Sequence, residues 1–346
     1  MKFKLNYKQF SDFVNLNDGV FHPLKNFVNK VEFETIVTKQ KFKSSFFPFP
    51  IFFGLSKTQY NKVKNKKLLK LIYKSTNIAI VKKLEFYNID KNFFGKKIFG
   101  VRFKHHPYFK IFCRENYIFL SFETYKKFQN YNNLKKYVKP SVFRNKIKNL
   151  KYLPGFHTRN VPHSAHQWIH NLLVNRYGSL LIQPLIGQYK KGEYKDSYIL
   201  KTNEKATKIL DNKNVFCLPF YSYPRYGGAL EACLHAIVRK NYGCSHFWVG
   251  RDHAGYKNFF NKYQSQVFCK KKQRKLKISI VSEKEPFYCK IRKIITNKFI
   301  NKKYKNSKIA VSGTKIRKIL LTKKKIPKYL MSKEISRMLN YKSLIN

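Results

Sequence analysis

Two turns in this chain carry residues suited to holding oxyanions. The first is Thr158-Arg159-Asn160, followed by His163 and His166; the second is Gly250-Arg251-Asp252-His253-Ala254-Gly255. His163 and His166 stand three apart where Pro162 opens a predicted helix, so both rings project from one face toward the helix amino end. That end carries partial positive charge and free N–H groups, which suits phosphate. Arg159 adds a planar guanidinium for bidentate oxyanion binding, and Asn160 an amide donor. Incidental histidines on a helix are the plain alternative. A zinc pair fits less well, because no third ligand lies at a recognisable spacing. The chain has no Gly-x-x-x-x-Gly-Lys-Ser/Thr loop, which disfavours the common kinase and ATPase route. A third anion-binding arrangement closes the chain: Ser312-Gly313-Thr314 as a helix cap, with Arg317 one turn inside.

These motifs need elements that present them. The stretch from His157 to His253 holds seven of the ten histidines, and residues 155–255 hold nine of the fourteen glycines. Residues 152–156 read as a strand, followed by a helix with Trp168, Ile169, Leu172 and Leu173 on one apolar face and a stop at Gly178. A buried strand is predicted over 179–186, where Leu180-Leu181-Ile182 shows no alternation. A second unit repeats the plan: a helix over 228–242, with Leu230, Cys233, Leu234 and Ile237 in phase and Gly243 as its stop, then a strand over 246–249 ending on the Gly250 turn. Strand, turn, helix and strand in repetition predict a parallel sheet of the nucleotide-binding type, with ligands at the carboxyl ends of its strands. Residues 1–140 are aromatic, lysine-rich and poor in glycine. Short apolar runs over 46–53, 78–81 and 117–122 predict a mixed α+β arrangement, with turns at 19–27 and 99–107. The run 270–275 reads as a solvated loop.

Composition bounds the function more loosely. A chain of 346 residues suits two domains. Its net charge of +56 would ordinarily suggest a nucleic-acid partner. The charge is spread along the whole length, however, and 61 of the 73 basic residues are lysine, as an AT-rich coding sequence would produce. A field of this sign attracts small anions and binds RNA weakly at low salt without specificity. The longest apolar run, 46–54, is broken by Pro48 and Pro50, so no membrane span is expected, and the amino terminus lacks a signal-peptide core. The expected location is cytoplasmic. Six scattered cysteines read as free or buried thiols.

Together, Thr158-Arg159-Asn160 with His163 and His166, Gln183-Pro184-Leu185-Ile186-Gly187, Arg225 with 228–232, the run 239–246 leading into 250–255, and Ser312-Gly313-Thr314 resemble the ATP sulfurylase (sulfate adenylyltransferase) family. The stretches 19–27 and 99–107 resemble that family's first domain, so the likeness covers nearly the whole chain. It implies a PUA-like β-rich domain over 1–140, a Rossmann-like parallel-sheet nucleotidylyltransferase domain over 141–305 and a short C-terminal segment over 306–346, α+β and α/β in class.

The resemblance also implies chemistry: sulfate attacks the α-phosphorus of MgATP in line, giving adenosine 5′-phosphosulfate and pyrophosphate. Carried over by position, His157 and Arg159 would hold sulfate with the Ala254 N–H. Thr158, Asn160, His163 and His166 would face the α- and β-phosphates. Gly250, Arg251, Asp252, His253 and Arg225 would seat the nucleotide. The chain departs from the family where Gln is usual at His157, Pro at Val161, Arg at Ser164, His at Gln183, and Pro-Arg at Ala229-Leu230. The zinc knuckle of bacterial members has no counterpart, because Arg292 stands at its second cysteine position, so no zinc is expected. A homo-oligomer and the physiological direction of the reaction stay open. Two other readings are a catalytically degenerate homologue and a basic RNA-binding protein.

Overall fold

The computed structural model describes residues 1–128, 131, 134–187, 190–298 and 307–345. The chain forms two compact units, one of Met1–Lys146, Pro224–Gly243 and Arg251–Ser279, the other of Ile147–Tyr223, Cys244–Gly250 and Ile280–Asn346. The sequence boundary near residue 305 lies outside the described residues.

The first unit is built on a five-stranded sheet in the order Lys2–Lys4, Leu68–Tyr73, Thr76–Tyr87, Ile118–Lys127, Phe53–Leu55. Its first pair is parallel and the others are antiparallel. Two of the predicted strands, at 78–81 and 117–122, sit inside it. The strand expected over 46–53 does not form: Ser45–Phe46 pairs with Lys41–Phe42, and Phe53 begins another strand. Pro48 and Pro50 between them cannot donate to a ladder. Phe47, Phe49 and Ile51 are nevertheless buried. Abundant phenylalanine becomes core here, with Phe52 packed edge-on against Phe94, Phe112 and Phe119.

Two helices from later in the chain belong to this unit, Gly228–Asn241 and Gln264–Leu276. They meet at Cys233 and Cys269, whose fully buried sulfurs lie 3.5 Å apart. The run 270–275, read from sequence as a loop, is therefore helical. Lys270 and Lys275 are exposed while Cys269 and Leu276, seven apart and so on one face, are buried. With so few apolar positions, the helical period is hard to see in the sequence.

The second unit holds the parallel sheet. Its strands run in the order Val215–Cys217, Leu180–Ile186, Pro154–Thr158, His246–Trp248, Ser279–Val281, with Phe220–Tyr221 also on Leu180–Ile186. Both strands beside Pro154–Thr158 and all three beside Leu180–Ile186 pair in parallel. Every residue of Leu180–Ile186 is buried, as its unbroken apolar pattern predicted. The helix Ser164–Tyr177 packs Ile169 and Leu173 against Phe156, Leu180, Ile182 and Trp248, and ends on Gly178 in the left-handed conformation. It starts two residues later than expected, because His163 rather than Pro162 occupies its boundary. A three-stranded sheet, Ile294–Thr296, Phe287–Cys289, Lys308–Ala310, completes the unit.

Candidate functional site

The parallel strand Pro154–Thr158 delivers His157 and Thr158 to its carboxyl end, where His157 faces Gln183 in register. The Thr158 hydroxyl accepts the Asn160 N–H at 3.1 Å, which folds the following turn tightly. The Asn160 carbonyl accepts from Asn203 at 3.2 Å, and its side-chain oxygen accepts from Arg317 Nη1 at 2.9 Å. Arg317 also donates to Thr314 at 3.2 Å. Ser312 caps the Gly313–Leu321 helix by accepting from the Lys315 N–H, as predicted. A Cβ at Gly313 would stand 2.9 Å from the Asn160 side-chain oxygen, so glycine is what lets these two turns close on each other.

His163 is the cap of the next helix: its Nδ1 accepts the His166 N–H at 3.3 Å. That contact requires a neutral Nδ1 lone pair. The His163 and His166 rings stack with centroids 3.8 Å apart, and His170 lies beyond, 6.4 Å from His166. Burial pulls the pKa of His163 and His170 well below the usual imidazole value and that of His166 down to about 4. At neutral pH this column offers neutral N–H donors. The expected proximity of His163 and His166 at one helix start is present, as a cap and its partner.

The second motif lies mainly in the first unit, which takes Arg251–Gly255, while Gly250 belongs to the second. Asp252 and Ala254 both have left-handed backbones, with φ of 56° and 57°. Each costs about 1 kcal/mol for a residue with a Cβ and must be held by its surroundings. The Asp252 N–H donates to the Lys262 carbonyl, the Ala254 carbonyl accepts from the Gly228 N–H, and the His253 carbonyl accepts from the Ser265 hydroxyl. A Cβ on Gly255 would stand 2.2 Å from the Asp252 carboxylate.

Behind this loop is a buried polar chain that the sequence reading passed over. The Glu231 carboxylate accepts the backbone N–H groups of Arg225 and Gly227, both at 2.8 Å. It lies 3.6 Å from His235 Nε2, and His235 Nδ1 is 3.1 Å from His253 Nε2. The four-residue spacing of Glu231 and His235 on a helix was the available signal. Asn203, on Asp196–Ile209, had none. Arg225 was a nucleotide-binding candidate by position. Its guanidinium is instead 2% exposed and paired with Asp12, over the faces of Phe21 and Phe49. This pairing anchors the turn that leads into the Gly228–Asn241 helix.

The second unit thus defines an α/β protein in which a parallel strand runs into a turn that brings hydroxyl, amide and guanidinium groups together. Residues 135–342 match the ATP-sulfurylase family model and residues 1–121 the PUA-like domain. The chain belongs to the ATP-sulfurylase family. It is 30% identical over 343 residues to the sulfate adenylyltransferase of Pyrococcus abyssi, covering 96% of this chain and 88% of that protein. It is 29% identical over 336 residues to that of Ignicoccus hospitalis, covering 94% and 86%. In fold it is similar to the hexameric APS kinase from Thiobacillus denitrificans, with a TM-score of 0.71 and 14% identity, over 97% of this chain and 62% of that one. No helix among the described residues is long and apolar enough to cross a membrane.

Proposed function

We propose that this protein is a sulfate adenylyltransferase, acting on ATP and sulfate in the cytoplasm. A sulfate oxygen forms a bond to the α-phosphorus of ATP, the bond to the β-phosphate bridging oxygen breaks, and its electron pair leaves on pyrophosphate. Mg²⁺ enters with ATP as part of the substrate. Such a reaction needs two anions held in line and negative charge stabilised on the leaving group, by positioning rather than by acid–base transfer. Arg159 and His157 are assigned to sulfate. Thr158, Asn160, His163 and His166 are assigned to the α- and β-phosphates, and Gly250, Arg251, Asp252 and His253 to the nucleotide.

The observation that carries this reading is the closure of the Thr158–Asn160 turn on the Ser312–Arg317 helix start, which gathers hydroxyl, amide and guanidinium groups at the end of a parallel strand. Neutral His163 and His166 support it, because uncharged imidazoles add no charge that the free site would have to hold. The degenerate-homologue reading keeps one specific support: Leu230 stands where the family carries arginine, and Arg225 is committed to Asp12. Incubating the protein with adenosine 5′-phosphosulfate, pyrophosphate and Mg²⁺ separates the two. ATP above a boiled control supports the enzyme, and its absence in folded protein supports the binding homologue.

A further inference from the structure

Away from the residues assigned to the reaction, the first unit contains a cleft of about 410 Å³ lined by Lys39, Lys41, Lys240, Lys272, Lys275 and Lys277. No carboxylate among the described residues lines it. These lysines come from three separate stretches of chain, so sequence adjacency does not explain their meeting. Lys39 and Lys41 flank the left-handed Gln40 that ends the helix Lys30–Lys39. Lys240 lies in the last turn of Gly228–Asn241, and Lys277 ends Gln264–Leu276.

Three helix carboxyl ends supply part of the compensation. Each carries about −0.5 of a charge, or about −1.5 together, against six ammonium groups. A large positive excess remains within a space comparable to a Debye length of about 8 Å at physiological salt. Burial first, and the neighbouring Lys277 second, lower the pKa of Lys240. Lys272 is held in place over the rings of Phe46 and Phe268, at 5.7 and 5.6 Å. Ser44 and Ser45 add hydroxyl donors at the rim.

The geometry points to a second anion site, distinct from the one assigned to the reaction, that takes the linear oligophosphate group of inorganic tripolyphosphate or of a nucleoside triphosphate. Its volume lies within the range of small-molecule pockets. Six lysines from three stretches of chain lining one cleft match a chain of phosphates better than a single tetrahedral anion. Lys272 occupies the face of Phe46, which lines the cleft and on which a base would otherwise stack, so the phosphates are the group recognised. The site goes beyond the proposed reaction and does not depend on it.

Titration calorimetry with tripolyphosphate at 150 mM salt tests this on the full chain. Relative to wild type, the combined Lys240→Gln, Lys272→Gln and Lys277→Gln variant should lose one equivalent of bound tripolyphosphate, or bind that equivalent at least tenfold more weakly. A control variant, Lys2→Gln, Lys4→Gln and Lys62→Gln, removes the same charge elsewhere and should bind as wild type. ATP at equal concentration should fill the site with an affinity within tenfold of tripolyphosphate. Unchanged binding in the cleft variant, equal loss in the control, or displacement by equimolar sulfate would overturn the site. A preference for ATP above tenfold would overturn the phosphate-only recognition. Loss of ATP formation in a normally folded cleft variant would overturn its separateness from the reaction.

Discussion

Asn160 and Arg317, 157 residues apart in sequence, meet through a 2.9 Å hydrogen bond from the guanidinium to the side-chain oxygen. The bond joins the turn after a parallel strand to the start of a helix near the end of the chain. It also orients the Asn160 amide, because the oxygen is taken by Arg317 and the NH₂ is left to point elsewhere.

Gly313→Ala tests that closure. The added Cβ would stand 2.9 Å from the Asn160 oxygen and push the amide off Arg317. Alanine favours the helix start intrinsically, so the melting temperature should change little. ATP formation should fall about tenfold, the equivalent of about 1.4 kcal/mol. Wild-type kinetics would mean that the Asn160 orientation does not matter to turnover.

Arg159→Lys preserves charge and loses the guanidinium fork. We expect kcat/KM to fall by roughly 10²-fold, about 2.7 kcal/mol, as for loss of one oxyanion-stabilising donor. Steady-state kinetics in the direction of ATP formation gives the number. A change of less than threefold would remove Arg159 from the oxyanion.

Glu231→Gln probes the chain behind the second motif. The carboxylate accepts two buried N–H groups. An amide can accept with only one of its two heavy atoms, so one backbone donor is left facing an NH₂ group. The loss should be about 2–3 kcal/mol, read as a lower urea midpoint with an unchanged slope. His235 also loses its carboxylate neighbour, so activity should drop even where the protein remains folded.

Acid should weaken the second unit through the histidine column. In the unfolded chain His166 binds a proton near pH 6.5, but in the fold only near about 4. Between those values the unfolded state holds more protons, so stability falls as pH falls, by about 2 kcal/mol at pH 5 for this residue. Asp196 acts in the opposite sense. Burial raises its pKa to about 7, so the fold favours its protonated form and gains stability on acidification. The two are separable by mutation. Denaturant midpoints at pH 7.5 and 5.0 should show a smaller acid loss in His166→Gln and a larger one in Asp196→Asn. Parallel profiles in all three proteins would show that neither group sets the pH dependence.

The sequence by itself determined the local chemistry. Glycine stops, unbroken apolar runs and capping residues are short-range physics, and so Gly178, Leu180–Ile186 and the Ser312 cap stand where the pattern placed them. The turn between the first strand and the next helix was legible for the same reason: side-chain types and a helix start lie within ten residues. Only the tertiary structure decided which of these residues meet. It placed Arg225, a nucleotide-binding candidate by position, on Asp12, 213 residues away, as a buried anchor. It joined Arg317 to Asn160 and lined Glu231, His235 and His253 into one polar chain. It also grouped the Gly228–Asn241 helix with the first unit, although its neighbours in sequence form strands of the second. Periodicity reports which face of an element is buried. The partner that buries it is chosen by packing between distant segments, and nothing in a local window records that choice.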